Sequence, residues 1–523
     1  MIIVALFAVG ISSCDESLLE TVPNDRISSA IYWQTPNDAL LAVNSLYNDL
    51  DGVDIFYYDA LTDIAHTNDP FDVQANIEKG IYDALNTRVD GRWTAAYKGI
   101  AAANAVLENV DKITFTDEAL LKRYKAEATV LRAYQYIRLV PLFGDVPLVK
   151  NTLTVEDARN LTRTPAADVW NFVDEELAAV TSGTDLPESY DAKNKGRITK
   201  WAALGLKARA ALYAGNYRKA ADAAALIINS GQISLYPKYE NLFGYAAEGN
   251  SEVLLDKQFI KDLFRNNVFS VLAPYSQKNA NCSFVPTKKL IDLYETADGK
   301  KITDAGSGYD ADLPYDNRDP RLHFSIFLAG DILPSGITFQ PAPNSGTADA
   351  AGVTYHSSTT GLNIKKYVNA EDYVDIGNCG INIILLRYAE VLLTYAEAKI
   401  ELNEVDQSVY DAINLVRNGR DDVKLPSVTT PAGLKELVRN ERAVELSFEG
   451  LRLADIRRWK IAETVVPGEV QGLTFVDDDG AVKIVQVASG LRAFRADRDY
   501  LWPIPQKERD LNPNLTQNPN WGN

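Results

Sequence analysis

Histidine, cysteine and methionine are nearly missing: three, three and one in 523 residues. Metal catalysis wants such ligands clustered, yet His66, His323 and His356 are scattered, with no HExxH pair and no zinc-type cysteine spacing. No GxSxG elbow offers a serine nucleophile. A glycosidase needs only two facing carboxylates, and among 71 acidic residues chance pairs are unavoidable, so nothing positive argues for catalysis. Basic charge is also short. With 53 Lys and Arg the net charge is −18, which argues against a nucleic-acid partner. No apolar run beyond the first residues is long enough to cross a bilayer. The acidic turn Asp477-Asp478-Asp479-Gly480 lacks the spaced ligands and distal glutamate of a calcium loop, so a solvated turn is expected there. No metal and no cofactor are expected. Cys282 and Cys379 could pair outside the cytoplasm; two separate buried thiols are the alternative, and the favoured one.

What the chain does have begins at its N-terminus. Residues 1–13 (MIIVALFAVGISS) form an apolar segment too short to span a bilayer, ending in small residues before Cys14. That is the layout of a lipoprotein signal: the segment is removed and Cys14 becomes a lipidated first residue, held by more than one acyl chain. A positively charged leading region is missing, so the true start of the signal is left open.

Hydrophobic residues make up 46% and aromatics 10%, ample for a core. The pattern that organises it is a helical hairpin over 384–417, where Leu385, Tyr388, Leu392, Tyr395, Ala396 and Lys399 share one face. A polar break at 403–406 turns the chain into a second periodic run, Tyr410 to Arg417. Trp201–Asn229 repeats this design around Gly215-Asn216, and 119–139 is a degenerate third copy. The expected fold class is mainly α: a tetratricopeptide-like array of helical hairpins with a loop-rich insertion region.

In order, residues 1–13 are the signal segment and 14–35 the anchor and lead-in. An N-terminal helical part with a candidate ligand loop covers 36–229, its first helix capped by Asn37. Its helices are expected at 92–110, at 119–143 (stopped by Pro141 and the turn at 144–147), at 165–179 and at 198–229. From 230 to 380 periodicity fades into a loop-rich variable insertion with strand-like runs at 252–256, 321–327 and 364–368. A C-terminal helical part over 381–523 carries a helix at 434–449, a loop insertion at 464–499 and a proline-rich wrap at the end.

Several motifs stand in a fixed order along the chain: Leu131-Arg132-Ala133-Tyr134 with Phe143-Gly144-Asp145-Val146-Pro147-Leu148, Asp319-Pro320-Arg321, and Arg387-Tyr388-Ala389-Glu390. Glu441-Arg442, Glu445-Leu446, Phe448-Glu449-Gly450 and Asp455 to Trp459 follow, and Tyr500-Leu501-Trp502-Pro503 and Leu511 to Pro519 complete the set. Together they resemble the SusD/RagB family of outer-membrane nutrient-binding lipoproteins. Physically these motifs read as scaffold: Arg387 and Glu390, like Arg442 and Glu445, lie one helical turn apart and can bridge on a helix face. Asp15 and Glu16 after Cys14 resemble the surface-export tag of Bacteroidetes lipoproteins. The resemblance implies a surface-exposed outer-membrane protein, lipid-anchored through Cys14, that caps a SusC-like TonB-dependent transporter. It implies delivery of oligosaccharides to that transporter, with a peptide-binding, RagB-like role as the alternative and a glycoside hydrolase as a remote one.

In a helical array, binding residues sit on loops held by the stack. Two stretches qualify. Residues 66–93 offer Asn68, Asp69, Phe71, Tyr82, Asn86 and Arg88; residues 260–320 offer Tyr275, Phe284, Tyr309 and Tyr315. Aromatic rings can face the C–H side of a sugar while amides, carboxylates and guanidinium meet its hydroxyls. Trp93 is set aside, because its spacing to Tyr97 and Ile100 makes it a core residue.

Overall fold

A computed structural model describes residues 32–354, 356–430, 433–488 and 490–522. Cys14 lies outside the described residues. The scaffold is a succession of antiparallel helices: α1 (Pro36–Leu46), α2 (Thr87–Asn109), α3 (Glu118–Phe143), α4 (Ala166–Thr181), α5 (Lys200–Tyr213), α6 (Tyr217–Ser230), α7 (Tyr388–Glu401), α8 (Gln407–Asn418), α9 (Leu434–Glu445) and α10 (Arg452–Arg458). From α2 to α8 each helix packs on the next, α9 adds to α7, and α1 lies across α2 and α3. This is the hairpin array expected from the alanine-rich periodicity. In the α5–α6 hairpin, Thr199 caps the first helix and Asn216 the second, and Gly231 closes it in the left-handed region. Among the described residues no helix is long and apolar enough to cross a membrane.

Several boundaries differ from expectation, each for a local reason. Thr35, not Asn37, caps α1, because Pro36 occupies the first turn and Asp38 closes a capping box. Asn86 starts α2 five residues earlier than the periodicity suggested, α3 runs through Pro141 to end at Gly144, and α9 stops at Glu445. Residues 383–387 are not helical. They form a fully buried strand, because an Ile-Ile-Leu-Leu run apolar on both faces suits a buried strand as well as a helix start.

Among the described residues, four two-stranded antiparallel sheets tie the loop-rich stretches to the helices. Their strands are β1 (Ala65–Thr67), β2 (Val253–Lys257), β3 (Phe284–Pro286), β4 (Ile326–Phe327), β5 (Asn363–Ile364), β6 (Ile383–Arg387), β7 (Gln471–Val476) and β8 (Val482–Gln486). They pair β1 with β3, β2 with β6, β4 with β5 and β7 with β8. The run 321–327 is a helical turn (Arg321–Ser325) before the two residues of β4, and the run after 364 holds only the end of β5. Strand β6 lies against α5 where Gly205 leaves room: a Cβ there would meet Leu386 Cδ2 at 2.6 Å. The acidic turn 477–480 joins β7 to β8 and already holds a cation, the Lys483 ammonium, which pairs with Asp477 and with Asp479 at 3.4 Å. Cys282 and Cys379 are separate buried thiols, both pushed up to about 12 by burial; Cys282 Sγ accepts a bond from Asn363 Nδ2 at 2.8 Å.

Beneath the sheets runs a buried ionic lattice built from the family-like motifs. Arg387 reaches Glu449 and Glu445 at 2.6 Å and Glu252 at 2.8 Å; Arg420 reaches Glu252 at 2.8 Å and Glu445 at 2.9 Å. Arg321 joins Asp319 at 2.7 Å and Glu445 at 2.8 Å. Burial alone would raise the Glu445 pKa, but three guanidinium groups outweigh it and hold the carboxyl far below its ordinary value. The pairs expected along single helices are therefore not made. Glu390 instead binds Arg209 of α5 at 2.6 Å, and Arg442 binds Asp455 of α10 at 2.9 Å. Arginine reaches far enough to link neighbouring helices, and at such interfaces charge pairs fix register.

Two seams join the ends of the chain. Asp59 accepts from the backbone N–H of Gly450 at 3.0 Å and of Arg452 at 3.2 Å. Gly450 itself sits at φ +77°, where a Cβ would meet Ile55 at 3.0 Å. In the C-terminal wrap, Trp502 N–H donates to Leu142 O at 2.7 Å, and Asn518 Nδ2 donates to Phe143 O at 2.9 Å and Trp502 O at 2.7 Å.

Candidate functional site

The two candidate stretches meet because β1 pairs with β3, in the register Ala65 with Pro286, His66 with Val285 and Thr67 with Phe284. Behind β1, Glu78 binds His66 Nδ1 at 2.7 Å, accepts from Thr67 N–H at 2.8 Å and pairs with Arg492 at 2.9 Å. Burial raises that carboxyl, yet His66 and Arg492 more than offset it and hold it down to about 2. A third loop joins them, described over 347–354 and 356–360. Asn68 Nδ2 donates to Ser357 O at 3.0 Å, and Thr359 N–H donates to Asn68 Oδ1 at 2.7 Å. Asp349 accepts from Ser276 N–H at 2.8 Å. Beside that bond the Tyr275 and His356 rings stack, 5.8 Å apart and 16° from parallel. The Asp69 carboxylate accepts from Phe71 N–H at 2.9 Å, turning the chain so that Phe71 is 84% exposed.

Asp69, Phe71 and Tyr275 thus stand at this loop end. Several other candidates do not. Asn68 is buried, its amide spent on pinning the third loop. Phe284 is buried and meets Tyr57 edge-on at 4.4 Å; the Arg88 guanidinium covers the Tyr57 ring at 3.7 Å. Tyr82 is buried against Trp521 at 4.7 Å, its hydroxyl pKa pushed up by burial. Asn86 caps α2 and donates to Val73 O at 3.0 Å. Tyr315 supports the β7–β8 hairpin, accepting from Thr474 N–H at 2.9 Å, with burial pushing its hydroxyl up to about 12. Tyr309 lies half-buried under the Arg318 guanidinium at 5.4 Å. Apart from Arg88, which also lines an open cleft, these residues have the composition of a binding surface but are used by their loops to pack. The third loop was missed because its Ser, Thr, Ala and Gly residues carry no periodic or motif signal; His356 stood in the sequence only as one of three scattered histidines.

A rigid helical stack carrying a loop platform at one end has relatives. The model described as the SusD family matches residues 252–521, more than half of the chain. The chain belongs to the SusD family. A second model, described as starch-binding and associating with the outer membrane, matches residues 38–212. Among curated SusD relatives, the SusD-like protein P25 of Formosa agariphila is 26% identical over 490 residues, covering 87% of this chain and 88% of that one. A crystal structure of a SusD-like carbohydrate binding protein from Bacteroides fragilis is 31% identical, with TM-score 0.85, covering 93% of this chain and all of that one. Surface glycan-binding protein A from Bacteroides thetaiotaomicron, solved in complex with laminarihexaose, has the same fold at 21% identity and TM-score 0.71, covering 92% and 99% of the two chains. The SusD motifs coincide with the ionic lattice and the C-terminal wrap, so what marks the family in this chain is its scaffold.

Proposed function

We propose that this SusD-family protein captures oligosaccharides at the cell surface. It is held in the outer membrane by lipid on Cys14 and passes its cargo to a SusC-like TonB-dependent transporter. The observation that carries the reading is a strongly exposed Phe71 ring and a stacked Tyr275–His356 pair on loops that Asn68 and Glu78 fix from behind. Flat apolar faces next to a carboxylate and backbone amides match a sugar's C–H face and its hydroxyls. The carbohydrate-binding relatives of the same fold support it.

Titration calorimetry with a neutral oligosaccharide panel that includes laminarihexaose should give saturable binding, and incubation should yield no shorter products. Phe71→Ala combined with Tyr275→Ala should abolish that binding with little change in melting temperature. Binding of peptides but no oligosaccharide would overturn the reading in favour of peptide capture, and shorter products would overturn binding without turnover. For the anchor and the partner, Cys14→Ala should release the protein from the membrane fraction, and gentle extraction of the native protein should bring a large barrel with it.

A further inference from the structure

Two residues beyond Phe71 the chain enters a second, chemically different space. A cleft of about 450 Å³ opens between residues 48–54, the first turns of α2, Arg138 of α3 and Lys257 at the end of β2, with Val73 on its rim. Four cations line it: Arg88, Arg92, Arg138 and Lys257. Three carboxylates line it too, and their charge is largely committed. Asp51 is shared by Arg138 at 2.6 Å and Arg92 at 3.5 Å, Asp54 binds Arg92 at 3.2 Å, and Asp49 is met from outside by Lys98 at 3.0 Å. Arg88 faces Asp72 only at 3.6 Å, beyond a direct hydrogen bond. Lys257 gives two of its N–H donors to backbone carbonyls, Asn48 O at 2.9 Å and Leu50 O at 2.8 Å, and has a third to offer. Counting Lys98 and Asp72, five cations meet four carboxylates, which leaves one positive charge over in a chain of net charge −18.

Gly91 also lines the cleft. It is exposed, lies on α2 at negative φ, and a Cβ there would meet nothing within 4 Å. The open space above it lies next to the positive end of the helix, among donors that outnumber their acceptors.

We infer that this cleft is an anionic subsite, taking the carboxylate or sulfate group of an acidic sugar unit while the rest of the chain lies towards Phe71. The inference rests on the oligosaccharide reading above and narrows it to acidic glycans. Arg88 and Lys257 are the binding residues. Arg92 and Arg138 position the walls through Asp51.

The test compares acidic oligosaccharides with neutral ones of equal length and backbone, in calorimetry at two salt concentrations. Carboxylated and sulfated members are separate arms, which distinguishes the two sources of charge. Acidic members should bind at least about tenfold more tightly, as one charge-assisted contact implies, and the advantage should shrink in high salt. Gly91→Leu, which projects a bulky side chain into the cleft and suits an exposed helix position, should remove the advantage by weakening acidic members far more than neutral ones; Lys257→Met should reduce it. Melting curves of both variants confirm the fold. Equal affinity for acidic and neutral members would overturn the subsite and leave oligosaccharide capture standing. An acidic preference that survives Gly91→Leu in a folded protein would also overturn it. Absence of binding by either class would overturn both readings together.

Discussion

The ionic lattice under β6 and the loop end at β1–β3 are both polar, and they spend their polarity in opposite ways. In the lattice, charged groups are almost wholly removed from water and paired with one another, with only Nε and Nη1 of Arg420 left without a hydrogen bond among these four: Arg321, Arg387, Arg420 and Glu445 are each less than 2% exposed. At the loop end, buried Asn68 and Glu78 fix backbone segments, while Phe71 is left towards solvent beside half-buried Asp69. The first arrangement punishes any change, because removing one partner strands a buried charge. The second tolerates change at its rim, where side chains contribute little to folding. A binding protein of this design can vary its loop surface over a scaffold that cannot vary.

The sharpest way to break the comparison is within the lattice. Glu445→Ala removes the acceptor shared by Arg387, Arg420 and Arg321 and should cost about 3–5 kcal/mol in urea unfolding, or abolish soluble expression. A loss below 1 kcal/mol would mean that the lattice is not coupled to folding. Next comes a crossed pair on one side of the molecule. Tyr82→Ala should destabilise by about 3 kcal/mol and leave oligosaccharide affinity unchanged, whereas Phe71→Ala should do the reverse. The same sign for both would erase the distinction drawn here.

Acidity gives a third, smaller effect, with opposite signs at two carboxyls. Burial lifts Asp59 from 3.8 to about 7, so the folded chain holds its proton more tightly than the unfolded chain. The stability this contributes is complete below about pH 4 and is lost as the pH rises through 7. Glu78, held at about 2 against an ordinary 4.5, contributes stability present above about 4.5 and lost as the pH falls towards 2. Stability curves of Asp59→Asn and Glu78→Gln against wild type should therefore diverge at opposite ends of the scale, and parallel curves would refute the assignment. Smaller again, Tyr315→Phe removes one bond to Thr474 and should cost about 1 kcal/mol, with no change in oligosaccharide affinity. Smallest of all, a reducing agent should not move the melting temperature, since both described cysteines are free.

The sequence announced the helical array well, because the alanines and tyrosines of 201–229 and 388–417 recur at helical spacing and the hairpin turns carry Gly215 and the polar run at 403–406. It announced the motif residues as structural, but not their partners. Spacing along one helix pointed Arg442 to Glu445, while the fold sends it across to Asp455. Strand β6 was hidden because a doubly buried apolar run has no period of two to display. The site was half legible. Aromatics in an irregular stretch are equally suited to ligand and to packing, so Phe71 and Tyr82 looked alike until one proved exposed and the other buried. Ser357 and Thr359, which Asn68 pins beside this loop, come from another part of the chain, and only the fold brings them near.

The clasp formed by Trp502 and Asn518 on the end of α3 has a consequence in time rather than in space. Leu142 and Phe143 wait for partners that lie about 360 to 375 residues further along the chain. A chain emerging from its N-terminus can form α2 and α3 early, but it cannot cover their far end until Trp502 and Asn518 have been made. A product cut short before Trp502 keeps the helices and leaves the Leu142 and Phe143 carbonyls without these donors. Arrival of this late segment is thus the step that closes the far end of α3.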